Sequence, residues 1–195
     1  MRLTREGLRR IRHRHFGYRI TLVVEMVLLF LLPAAQQVPW LLSAMLCLLA
    51  VVLVAVVRGD SQFPGLPLLV QIHLASMIII MMITVPMLLG PKGTARHRLL
   101  GRIWAALMLG NALLTLCFNA GSRQLGGVFV GDFSPIHAIS LFVAISVPQA
   151  VLKARRHDRA GHEGNIRGLV IGSLLVAGLF TLPFGRTLGE WLMGR

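Results

Sequence analysis

Six stretches of this chain, residues 20–39, 40–57, 66–90, 99–120, 133–152 and 166–184, run for about a bilayer's thickness with hardly a charge. A helix crosses the hydrocarbon core in roughly 20 residues at about 1.5 Å each. Inside that core every backbone N–H and C=O must be paired within the protein, so only helices and closed barrels can span it. A barrel strand alternates apolar and polar residues, and the runs 46–57 and 77–82 do not alternate. The expectation is an all-α integral membrane protein of about six transmembrane helices. Its 55% hydrophobic against 14% charged residues lies outside the usual soluble range.

The organisation follows from the punctuation between spans. Residues 1–19 carry seven arginines and form a basic N-terminal segment at the headgroups. Residues 20–65 read as a transmembrane hairpin whose first arm is interrupted by Pro33 and Gln36-Gln37, and whose second ends at Arg58-Gly59-Asp60. Pro64, Gly65 and Pro67 mark the turn into a four-helix core, residues 66–195. A basic segment before an apolar run also suits a signal peptide, but no small-x-small cleavage site is well formed there.

Charge narrows the partners. The 20 Lys and Arg against 7 Asp and Glu flank apolar spans instead of forming an aromatic-interleaved stripe, so the expected partner is anionic lipid and not nucleic acid. Lys92, Arg96, Arg98, Arg102, Lys153, Arg155, Arg156, Arg159 and Arg167 share one side of the last four spans, which the positive-inside rule makes cytoplasmic. With six spans the arginine-rich N-terminus falls on the opposite side, so the two charge signals conflict. No nucleophile–base set, P-loop or metal-hydrolase spacing occurs, which argues against a hydrolase or an ATPase.

Four histidines sort into two pairs by span polarity. His73 and His137 lie near the starts of spans entering from the same face, so they share a similar depth. His97, opening the fourth span, and His162, just before the sixth, belong to the basic side. Paired neutral imidazoles on neighbouring helices are what the iron of a b-type haem requires, with His73 and His137 as the primary ligands. Two haems near opposite faces would move electrons across the membrane. The competing reading is structural: the histidines bond neighbouring helices, with Ser76 and Ser140 in reach, or water and headgroup phosphate.

Arg98 and Arg102, four apart and near Trp104, suit a haem propionate, a quinone headgroup or a lipid phosphate, or simply snorkel to the interface. Glu25, within the first span, needs an arginine partner or a proton. Asn111 and Asn119 fit interhelical hydrogen bonds. Cys47 and Cys117 read as packing residues, and the pairs His13 with His15 and His157 with His162 lack the company of a metal site.

Several spaced motifs resemble a family of bacterial multi-pass membrane proteins carrying a domain of unknown function. They are Pro91-Lys92-Gly93-Thr94, His97-Arg98-x-x-Gly101-Arg102-x-Trp104, Ser134-Pro135-Ile136-His137, and Ala177-Gly178-Leu179-Phe180-Thr181 ahead of Gly185-Arg186. The resemblance covers about residues 68–188 and implies a four-helix core with histidines at helix ends, in a bacterial inner membrane. It departs from the family pattern at the loop before the last span, where Glu163 follows His162 in place of an arginine. The functional expectation is haem b and electron transfer. The alternative is a haem-free membrane protein binding lipid, a quinone or a partner subunit at its basic face. A transporter would show paired broken helices and an internal repeat, and neither is evident.

Overall fold

The computed structural model describes residues 34–116, 135–182 and 186–194. The protein divides into two compact units, Met1–Trp40 and Leu41–Arg195, and the first contributes to the described residues only the opening turns of one helix. Helix α1 is Ala34–Arg58, followed by a 3-10 turn Phe63–Gly65, α2 Leu68–Leu89, α3 Ala95–Leu116 and α4 Pro135–Arg155. The last span, Arg159–Phe180, is continuous but composite: α5 Arg159–Leu169, a π-helical insert Val170–Val176, and α6 Ala177–Phe180. A short α7, Thr187–Leu192, closes the chain. Among the described residues there is no strand, and the five long helices are apolar enough to cross a membrane. The sequence reading of an all-helical membrane protein therefore holds. The first arm of the expected hairpin lies outside the described residues up to position 33.

Each helix turns one narrow face inward and leaves the rest apolar. Leu41, Met45, Leu48, Val52 and Ala55 of α1 recur at helical spacing and are buried, as are Trp104, Met108, Ala112 and Thr115 of α3 and His137, Ser140, Val143, Val147 and Ala150 of α4. Between 22% and 33% of each span is buried within the protein, so most of each helix faces outward. That outward surface carries Leu53, Val54, Ile79, Met82, Leu113, Leu141 and Ile145. In water an apolar belt of this size would aggregate; against lipid tails it costs nothing.

Small residues set the close contacts. A Cβ on Gly178 would meet Leu48 Cδ2 at 2.6 Å, so α1 rests directly on the end of the last span. Gly172, in the π-helical insert, sits against the ring of Phe142 on α4. The wider π turns bring Val170, Ile171, Ser173, Leu174 and Leu175 inward almost consecutively. At the far end of α1, Gly59 lies under the indole of Trp191, whose Nε1–H donates to Gln62 Oε1 at 2.8 Å. The Arg58 guanidinium donates to the Leu192 carbonyl, so α7 is clasped to the end of α1.

Two boundaries differ from the sequence reading. Helix α1, Ala34–Arg58, runs through Pro39, where a break between two spans was expected; proline is tolerated in membrane helices, and Pro86 and Pro148 also lie inside theirs. The last span begins at Arg159 and not at residue 166. Its charged opening stays helical because Asp158 caps it, accepting from the Gly161 N–H at 2.9 Å, and because Glu163 pairs with Arg159 and Arg167 one turn to either side. His162 therefore lies inside this helix and not ahead of it. Cys47, expected among packing residues, is on the exposed side of α1, while Cys117 lies outside the described residues.

Candidate functional site

The site is a polar layer on three consecutive helices, with a second group of polar residues at the basic end. Helix α3 packs against both α2 and α4. Toward α2 it makes two rungs. Ser76 Oγ is 3.0 Å from Asn111 Oδ1, and Trp104 Nε1–H donates to Thr84 Oγ1 at 2.9 Å. Moving up one helix by eight residues and down the other by seven is the register of an antiparallel pair. Ser76 also has the Ile72 carbonyl at 2.6 Å, and its single proton serves one acceptor at a time. The Asn111 Nδ2 donates to the Leu107 carbonyl at 3.1 Å, and the His73 ring reaches the Asn111 side chain.

Toward α4 the layer continues one turn along α3. Thr115 Oγ1 and Ser140 Oγ are 2.6 Å apart, and both hydroxyls are buried. His137 stands three residues before Ser140 on the same buried face, just as His73 stands three before Ser76. Both primary histidines thus border one polar layer, with α3 contributing its centre. Because Ser76 meets Asn111 and Ser140 meets Thr115, four residues further on, the two histidines lie at depths about one turn, roughly 5–6 Å, apart.

At the basic end, Thr94 caps α3 and accepts from the His97 backbone N–H at 3.1 Å. The His97 imidazole is near enough to His162 and to Lys92 to interact with both electrostatically. His162 Nδ1 is 2.9 Å from the Ala150 carbonyl of α4. A carbonyl can only accept, so Nδ1 carries a proton, which in the uncharged ring is the tautomer a metal-bound histidine uses. Lys92 folds back to donate to the Leu88 carbonyl at 2.9 Å and to the Met87 carbonyl. Desolvation there lowers its pKa from the ordinary lysine value, with nearby Glu163 opposing the shift. Lys153 donates to Asn165 Oδ1 at 3.0 Å, tying α4 to α5 a turn beyond His162.

The structure therefore brings His97 toward His162 and sets His73 and His137 on one polar layer, while Arg98 and Arg102 are on an exposed face of α3. Trp104, expected beside the two arginines, is 2% exposed and faces α2, while Arg98 and Arg102 are exposed on the other side of α3. Thr84, Thr115 and Asn165 belong to these networks and were not singled out from sequence; Thr115 stands one turn from Asn111, and that spacing was the available signal. Asn119 and Glu25 lie outside the described residues. No cluster of three or more His, Cys, Asp or Glu that could hold a metal ion occurs among the described residues. The donors brought near one another are two imidazoles, His97 and His162, a set closer to the two axial positions of a haem iron than to a zinc or iron–sulfur site. No protein-family model, no curated protein and no solved structure matches the chain.

Proposed function

We propose that the chain is an electron-transfer protein of a bacterial inner membrane, binding b-type haem through His73 with His137 near one face and through His97 with His162 near the other. The observation that carries the reading is the Nδ1–H of His162 held on the Ala150 carbonyl, which leaves Nε2 outside that bond while His97 lies within electrostatic range. A haem supplies reversible one-electron chemistry at its iron. The chain's own residues supply imidazoles on neighbouring helices and a dry apolar surround.

The test is a reduced-minus-oxidised absorption spectrum of the detergent-purified protein beside His73→Ala, His137→Ala and His162→Ala variants. A b-type α-band that the histidine variants diminish supports the reading. No haem absorbance after expression with ample haem sinks it.

One observation favours a second reading. The Ser76–Asn111 and Thr115–Ser140 contacts pair the hydroxyls of the polar layer without any added group, as they would in a haem-free protein whose histidines only join helices. The same spectrum separates the two.

A further inference from the structure

We propose that Arg98 and Arg102 form a binding site for the phosphate of an anionic phospholipid on the outward face of helix α3. The proposal is independent of haem. The buried face of α3 is defined by Trp104, Met108, Asn111 and Thr115. Arg98 and Arg102 lie on the opposite side, beside Leu99 and Ile103, which are 58% and 42% exposed. The two guanidiniums therefore stand at a lipid-facing surface and not at the histidines.

Neither has an anionic partner among the described residues. Arg98 spends one N–H on the Gly93 carbonyl at 2.6 Å, which leaves four donors. Arg102 has no hydrogen bond or ion pair among the described residues. Glu163, the carboxylate at the basic end, is occupied by Arg159 and Arg167. Arg102 is seven residues beyond the first residue of α3, about 10 Å along the axis. A cation among apolar side chains at that depth is costly unless an anion meets it. Phosphate oxygens suit a guanidinium fork, and two forks one turn apart can share one headgroup. Below them the same face runs past the exposed Ala106 to the exposed Leu113. That strip is where an acyl chain would lie. A lipid with net negative charge gains over a zwitterionic one by attraction to both cations.

The experiment is lipid retention by the full-length protein, delipidated in detergent and titrated with phosphatidylglycerol or phosphatidylcholine, then read by native mass spectrometry. The wild type should retain phosphatidylglycerol in preference. Arg102→Ala should weaken that retention about tenfold, as expected for loss of charge-assisted hydrogen bonds. Arg102→Lys should fall between, because it keeps the charge and loses the fork. Arg98→Ala/Arg102→Ala should abolish the preference. If the double variant does not fold, Arg102→Gln serves, because Arg102 has no bond to lose among the described residues. Three results would each overturn the proposal: undiminished phosphatidylglycerol retention by the Arg102 variants, equal retention of phosphatidylcholine by the wild type, or displacement of the lipid by millimolar inorganic phosphate.

Discussion

Gly59→Ala is expected to loosen the clasp between the end of α1 and helix α7. The backbone at Gly59 is not in the left-handed region, so alanine is tolerated conformationally and the penalty is steric. The new Cβ would lie 1.9 Å from Trp191 Cδ2, 2.3 Å from Cε3 and 2.4 Å from Cγ. Carbon atoms rest at about 3.5–4.0 Å, so the indole must retreat by about 1.6 Å or more. Trp191 is 2% exposed and cannot move without disturbing its surroundings or its hydrogen bond to Gln62. Overpacking costs about 1–3 kcal/mol and the lost bond about 1 kcal/mol. Outright expulsion of the ring sets an upper bound of about 3–5 kcal/mol. The expected destabilisation is about 2–4 kcal/mol, read from unfolding in mixed micelles followed by tryptophan fluorescence. A double-mutant cycle isolates the cause: once Trp191→Ala removes the ring, Gly59→Ala should add almost nothing. Additive costs, or a Gly59→Ala cost below about 0.5 kcal/mol, which is within the scatter of ordinary surface changes, would refute the steric argument.

Two further outcomes are expected. His157, at φ 59, turns the chain between α4 and α5 in a conformation that suits glycine. His157→Gly should therefore raise the unfolding midpoint by the equivalent of about 0.5–1 kcal/mol, whereas His157→Val should lower it. Asn111→Leu removes the shared partner of Ser76 and His73, and should cost about 0.6–1.7 kcal/mol in the same micelle assay, with a smaller loss when Ser76 is already alanine.

How much of this was legible depends on the face of each helix. The two exposed arginines and Trp104 are neighbours in sequence, and they were read together from sequence as one binding group. On the helix Arg102 and Trp104 are two residues, about 200°, apart, so they could not share a face. Which of those faces is inward was not readable, because α3 is apolar nearly all round. A soluble helix advertises its buried side by contrast with a polar one; a membrane helix offers lipid a surface as apolar as its core. The polar layer suffered the same blindness. Asn111 was recognised as an interhelical residue, but its partner Ser76 depends on the register between α2 and α3.

That the chain forms apolar helices long enough to cross a membrane, where most of those spans lie and which side gathers the cations were all legible in the order of residues. Those follow from run length, backbone hydrogen bonding and charge, all of which are local. Only the tertiary structure decided that His162 lies within a helix and rests on the Ala150 carbonyl, that Trp104 bonds Thr84, and that Arg98 and Arg102 face outward. Those depend on the rotation and register of each helix against its neighbours, set by packing small residues such as Gly178 and Gly59 against large ones far away in sequence.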